Sequence, residues 1–284
     1  TYYSTDDIKT NTKIAASSDT LPDMWYNWCG YNYAEYYARE GLCYDLAQYA
    51  QENNWDEKFI GSALDMCKYE DGIYALPQVL TGLVVWYRTD IFEEYGLEVP
   101  TTLEELETVC DTLVENGVAP FATGGTSGWH IFRYLEALLE YYAGAEEHDA
   151  LNALDADWAS SEAVTSTFAK LKEWSDKGYF NNGFLTEDPN NSKMYVFSGT
   201  CAMVIDNSGM ASDVVANDYD ESQYGYFAFP TGHDGNPGRV SAYIKTVQFN
   251  KNLTDAQFDA AMKFWNYYYS DESLEKHTSI EQPT

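Results

Sequence analysis

The order of its segments predicts an α/β fold for this chain. Short apolar runs rich in Val and aromatic residues, such as Gly82-Leu-Val-Val-Trp-Tyr87, read as buried strands. Between them lie segments with apolar residues on one helical face, such as Leu103, Leu106, Cys110 and Leu113. Strands alternating with helices form α/β sheets. The 284 residues suffice for one large domain or two medium ones, and a hydrophobic content of 45% can fill a sizeable core.

Taken in order, residues 1–4 read as the end of a strand, and residues 6–18 as a helix capped by Thr5 or Asp6. Leu21-Pro-Asp-Met-Trp-Tyr26 leads into a second strand. Residues 25–33 follow as a polar-aromatic loop at its end, the place where α/β sheets bind ligands. Residues 35–40 form a helical turn ended by Gly41, and residues 55–66 a short helix. Pro77 cannot donate to a ladder, so it predicts a stiff, irregular connection into the strand at 82–87. Residues 90–95 make a short helix stopped by Gly96. Thr102 caps the next helix, with Glu105 completing a capping box, and Gly117 ends it.

Pro120-Phe-Ala-Thr123 reads as a strand, and the glycine-rich turn 124–128 opens a helix over 129–143. A further helix spans 161–177, with Val164, Phe168 and Leu171 inward and Gly178 at its end. Strands follow at 198–206, 226–230 and 240–249. Thr254 and Gln257 form a second capping box, opening a long helix with Phe258, Met262, Trp265 and Tyr269 on its core face.

Net charge narrows the partners. With 46 acidic against 16 basic residues the chain carries −30, which argues against nucleic acid, anionic membranes and polyanionic substrates. Neutral or cationic ligands remain, and acidity also serves solubility. No run of eighteen apolar residues exists to span a membrane. The 25 Tyr and 8 Trp exceed what a core needs. Their flat faces and polar tips suit sugar rings. The five cysteines, Cys29, Cys43, Cys67, Cys110 and Cys201, contain no C-x-x-C, so neither a zinc site nor a redox motif is implied. Pairing among Cys29, Cys43 and Cys67 stays open.

Several segments carry a family resemblance. They are Leu21-Pro-Asp23, Gly41-Leu42 with Asp45-Leu46, Asp71-Gly-Ile-Tyr-Ala-Leu-Pro77, Tyr87-x-x-Asp90-x-Phe92, Tyr95-Gly-Leu-x-Val-Pro100-x-Thr102 and Phe197-Ser-Gly-Thr-Cys-Ala-Met203. In order and spacing the chain resembles the extracellular solute-binding proteins of carbohydrate ABC importers, the maltose-binding-protein-like family 1. The resemblance implies a two-lobed, periplasmic-binding-protein-like α/β fold with an interlobe cleft and crossover hinges. Lobe 1 would comprise 1–78 and 243–284, and lobe 2 residues 79–242. An N-terminal strand and helix and the final C-terminal helices of the family would lie outside this chain. The resemblance further implies a neutral mono- or oligosaccharide ligand, ABC permease subunits as partners and a monomer. The protein would be extracellular or periplasmic, lipid-anchored through a segment not in this chain.

Five clusters are candidate ligand contacts: Trp25, Trp28, Tyr31, Asn32 and Tyr33 in the strand-end loop; Gln78 and Thr81, with Leu80, at the first crossover; Ser127, Trp129 and His130 at a helix start; Asp206, Asn207 and Ser208 after a strand; and Tyr243 at the second crossover. Each has a plainer reading, respectively loop packing, a bare hinge, a capping turn, a polar strand exit and an ordinary strand tyrosine. The family commonly places a stacking Trp near position 209, where this chain has Gly209 and Met210. Trp129 and the 25–33 loop are therefore expected to supply the main stacking surfaces.

Catalytic patterns are missing from the sequence. Gly125-Thr-Ser-Gly128 has its serine misplaced for a nucleophile elbow, and no phosphate loop, His-Glu-x-x-His or calcium loop occurs. With so many acids, a chance carboxylate pair is no sign of a glycosidase. The expectation is no catalytic residue, no metal and no cofactor. The alternatives are the same fold binding a cation such as a polyamine, or a secreted carbohydrate-active enzyme.

Overall fold

The computed structural model describes residues 4–232 and 238–278. The strand end expected at residues 1–3 and the tail at 279–284 lie outside them. The chain groups into two compact units: unit 1 is Thr1–Thr81 with Ala242–Thr284, and unit 2 is Gly82–Ser241. The described strands are β1 Met24–Trp28, β2 Lys68–Tyr69, β3 Gly72–Ile73, β4 Leu76–Arg88, β5 Ala119–Phe121, β6 Cys201–Asn207, β7 Tyr224–Phe227 and β8 Ala242–Phe249.

In unit 1, β8 neighbours both β1 and β4, and it runs antiparallel to β1 with Trp25 opposite Gln248 and Trp28 opposite Lys245. Alternation along β1 buries Trp25 and Asn27 on one face and leaves Tyr26 and Trp28 half-buried on the other. One apolar cluster packs Leu46, Trp55, Leu64, Phe249, Phe258, Met262 and Trp265 together; a second packs Trp25 against Tyr37 and Cys43.

A fully buried amide joins these pieces. The Gln248 Oε1 accepts from Trp25 Nε1 (3.1 Å) and Asn27 Nδ2 (2.8 Å). Its Nε2 donates to the Ala34 carbonyl (2.9 Å), to Cys43 Sγ (3.1 Å) and to the Tyr74 carbonyl (3.3 Å). Donors meet only the oxygen and acceptors only the nitrogen, which fixes the orientation of the amide.

Unit 2 pairs β6 antiparallel with β4, from Leu83 opposite Asn207 to Tyr87 opposite Met203. β7 pairs with β4 antiparallel, and β5 runs parallel to β6. β6 reads Cys-Ala-Met-Val-Ile because both of its faces are covered. One face meets Phe121, Tyr134, Trp174 and Tyr179, with Phe121 stacked on Trp174 at 5.6 Å. The other meets Trp86, Val196, Met210 and Val214. Helix Ile131–Asn152 is interrupted at Gly144, whose φ of 67° suits a residue without Cβ. Past the break, His148 sits between Glu136 and Glu140, and Arg239 clamps Glu140 and Asp149.

The structure corrects several sequence readings. The first helix is Thr5–Ser17 with Ser4 as its cap, since the Ser4 hydroxyl supplies the same chemistry one residue earlier and accepts from Asp7 N–H. β4 is one continuous strand through Pro77, so no irregular join precedes 82–87. As the strand's second residue, Pro77 costs little of the ladder, and its carbonyl accepts from the Tyr269 hydroxyl. Residues 55–66 form two helices, Trp55–Lys58 and Gly61–Asp65. Phe168 is 53% exposed because the inward stripe of its helix runs through Ala163, Val164, Thr167 and Trp174. Both capping boxes form as read, at Thr102 with Glu105 and at Thr254 with Gln257.

Replacing Gln248 by Leu strands the Trp25 indole N–H and the Asn27 amide N–H in the core of unit 1. Each buried unpaired group costs on the order of 1–3 kcal/mol, so a loss of about 3 kcal/mol or more is expected. Urea unfolding with an unchanged slope measures it; a loss under about 1 kcal/mol would remove the amide from its organising role.

Candidate functional site

Because β5 and β6 are parallel, their carboxyl ends share one edge of the unit 2 sheet. There the chain places Thr123 after β5, Asp206 and Asn207 at the end of β6, and the turn that opens helix Ile131–Asn152. The turn is held close to the backbone: a Cβ at Gly124 would lie 2.6 Å from Pro189 N, so only glycine fits.

Arg133 dominates this edge. Its side chain is 9% exposed, and its guanidinium donates to Asp206 Oδ1 at 2.8 Å and to the Ile205 carbonyl at 2.8 Å. Its Cζ lies 5.0 Å from the centroid of the Trp129 ring, a cation–π arrangement. Arg133 also lines a small recess with Leu83, Ile205, Phe229 and Thr231. Burial pushes the Asp206 carboxyl up, but the Arg133 charge, the neighbouring His130 and the Asn207 N–H outweigh it, leaving Asp206 below the usual carboxylate range. His130 is fully buried, and its Nδ1 meets the Thr123 hydroxyl at 3.0 Å. Burial, aided by the Arg133 charge, pushes its imidazole down to about 3, so it is neutral at physiological pH.

Asp206 Oδ1 also accepts from Asn207 N (2.7 Å) and Nδ2 (3.0 Å), and Asn207 Oδ1 accepts from Gly209 N (2.7 Å). These side chains shape the strand exit. Ser208 follows, half-buried, and Met210 is packed in the core. Trp129 is half-buried, with an indole N–H that has no partner. Ser127 is exposed in the preceding turn.

In unit 1 the first part of the expected 25–33 loop, residues 25–28, belongs to β1, and residues 29–33 form the turn that follows it. Trp25 is 5% exposed and commits its N–H to Gln248, which assigns it to the core and corrects its reading as a surface ring. Trp28 stands on the opposite face, edge-on to Tyr26 at 4.8 Å and 6.2 Å from Tyr33. Lys9 Nζ lies 4.9 Å above the Trp28 ring and 5.6 Å from that of Tyr33. The face also carries Tyr243, close enough to Tyr26 that its hydroxyl, after burial, helps push the Tyr26 phenol up. Tyr31 is exposed and covered by Arg39 at 4.1 Å, and Asn32 is exposed beside it. Gln78 is half-buried and Thr81 buried on β4.

Thus the structure gathers Trp28, Tyr33 and Tyr243 in unit 1, and Trp129, His130, Asp206 and Asn207 in unit 2. Sequence reading missed Lys9, Tyr26, Arg133 and Thr123. Two carried a signal: Tyr26 is two residues from Trp28 on a strand, and Arg133 is four from Trp129 at a helix start. Among the described residues, no group of three or more His, Cys, Asp or Glu could hold a metal, and no helix is long and apolar enough to cross a membrane.

The family profile described as bacterial extracellular solute-binding protein matches residues 1–275. The multiple sugar-binding protein of Streptococcus mutans is 21% identical over 282 residues, covering 97% of this chain and 65% of that protein. The alpha-glucosides-binding periplasmic protein AglE of Rhizobium meliloti is 26% identical over 197 residues, 65% of this chain and 35% of that protein. The chain thus spans between about a third and two thirds of these relatives' length. Among solved structures, a chitin oligosaccharide binding protein superposes with a TM-score of 0.88 at 24% identity, over 98% of this chain and 70% of that one. A sugar transporter from Bacillus licheniformis in complex with stachyose gives 0.74 at 19% identity, over 97% and 70%. At these identities the likeness establishes the fold, that of two-lobed periplasmic binding proteins.

Removing the Arg133 charge leaves Asp206 buried and unpaired, so Arg133→Met should cost about 3 kcal/mol or more. Since Asp206 is depressed in the folded state, its contribution is complete above the unfolded carboxylate value, about 3.9, and is lost as pH falls through the lower folded value. Denaturant midpoints measured from pH 6 down should show Asp206→Asn with a shallower acid loss than the parent; identical slopes would contradict the pairing.

Proposed function

The chain belongs to the bacterial extracellular solute-binding proteins, and on that premise we propose that it captures a neutral sugar, from one unit to a short oligosaccharide, for an ABC importer. The family consists of substrate-binding proteins, and in this reading the chain binds without catalysis and passes its ligand as a monomer to membrane permease subunits. The observation that carries the reading is the placement of aromatic rings with polar groups in each unit: Trp129 under Arg133, whose partner Asp206 holds Asn207, and Trp28 edge-on to Tyr26 and beside Tyr33, with Tyr243 next to Tyr26. A sugar offers apolar C–H faces to such rings and hydroxyls to the polar groups around them. These relatives are named for carbohydrates, which supports the ligand class.

A cationic ligand fits less well. Lys9 already lies over Trp28 and Tyr33, and Arg133 over Trp129, so the protein's own cations occupy the rings that a polyamine cage would need. A second positive charge there would meet repulsion despite the acidic net charge.

Calorimetric titration with neutral mono- and oligosaccharides, and separately with spermidine, tests the reading. Saturable sugar binding that survives exhaustive chelation is expected, with little response to spermidine. Trp129→Ala and Trp28→Ala should each weaken it about tenfold or more, the equivalent of ~1.4 kcal/mol, with the fold retained. Wild-type affinity in both folded variants would refute the stacking roles; spermidine binding with no sugar response would refute the ligand class.

A further inference from the structure

Of the five cysteines, all of them free thiols, Cys43, Cys110 and Cys201 are buried apart from one another. Cys29 and Cys67 instead face each other with sulfurs 3.9 Å apart. Both lie within unit 1, on backbone tied into regular structure. Cys29 follows β1, and its N–H donates to the Ile244 carbonyl at 3.0 Å. Cys67 follows helix Gly61–Asp65, its N–H donating to the Leu64 carbonyl and its carbonyl accepting from Tyr74 N–H, each at 3.0 Å. The sulfurs are at contact distance, 3.9 Å, and a disulfide would bring them to ~2.0 Å.

We infer that Cys29 and Cys67 are a cross-linking site, oxidised to a disulfide in the extracellular surroundings where this family works. Such surroundings let disulfides form and persist. The oxidant is a small disulfide of the oxidised-glutathione class. Cys29 is the more exposed of the two and attacks first. Cys29 gives up its proton to solvent, its thiolate displaces one small thiolate, which takes up a proton, and a mixed disulfide forms. The Cys67 sulfur then attacks the Cys29 sulfur, expels the second small thiol and gives up its proton to it. The two protein thiols are oxidised and the small disulfide is reduced to two thiols. Cys67 suits the second role: the hydrogen bond to Cys29 and burial both hold its thiol well above the usual range, so it is a poor first nucleophile.

The cross-link would close a loop between positions 38 residues apart. It would tie the segment carrying Trp28 and Tyr33 to the core that holds Leu64 and Trp265. The bond constrains the unfolded chain most, so its effect appears as added stability.

The whole chain, incubated with oxidised glutathione, unfolded in alkylating reagent and digested, should yield one linked peptide joining Cys29 and Cys67. Two fewer thiols should be alkylated, and Cys43, Cys110 and Cys201 should remain free. The melting temperature should rise by about 5 °C and return on reduction with dithiothreitol. Cys29→Ser and Cys67→Ser should each abolish the linked peptide and the shift. Full alkylation of all five cysteines, a glutathione adduct that stops at Cys29, or a link to Cys43 would overturn the inference.

Discussion

One buried amide holds unit 1 together. Gln248 has no exposed surface, so every hydrogen bond it lost to water on folding must be returned by protein. It finds those partners in four separate segments: β1, the residue before helix 34–39's first turn closes, Cys43, and the turn ahead of β4. An apolar residue there could fill the space, but it could not tell these segments where to stop. The amide therefore sets register as well as stability, pinning Trp25 and Asn27 inward and, by alternation, Tyr26 and Trp28 outward.

Unit 2 solves a related problem with charge. The Arg133–Asp206 pair stands where a strand end and a helix start meet, and both members are largely withdrawn from solvent. Such a pair adds little net stability over an apolar substitute, but breaking it is costly, so it enforces one geometry. Its guanidinium is planar and lies near the Trp129 ring, which makes Arg133 a support for the ring as well as a counter-ion. The neutral His130 beneath keeps the edge from accumulating a second cation.

What could be read in the sequence was local. Capping boxes at Thr102 and Thr254 depend on residues three apart, and the buried strand β6 on an uninterrupted apolar run. What escaped was non-local. Gln248 looks like any polar strand residue until partners as far away in sequence as Trp25, 223 positions off, are brought to it. Arg133 gains its meaning from Asp206, and Lys9 from Trp28. Pro77 misled for a different reason: the rule against proline in strands weakens near a strand's start, where few ladder bonds are at stake. Residues 25–28 misled because an aromatic-rich strand end and an aromatic loop have the same composition; only the period of two separates Trp25 from Trp28.

The chain leaves unit 1 at Thr81 and returns at Ala242, so the Gly82–Ser241 stretch is an insertion whose ends meet: Leu83 N–H donates to the Ser241 carbonyl at 2.9 Å. This arrangement gives the two units different histories on the ribosome. Synthesis delivers the inserted unit as one uninterrupted length, which can complete its own core as soon as it emerges. Unit 1 begins first and must wait. Until β8 has been translated, β1 lacks the strand it pairs with among the described residues, and Trp25 and Asn27 lack the Gln248 oxygen that accepts from them. The first segment of unit 1 is thus made before the inserted unit and becomes native only after it, and its aromatic residues wait as long as the insertion takes to be made.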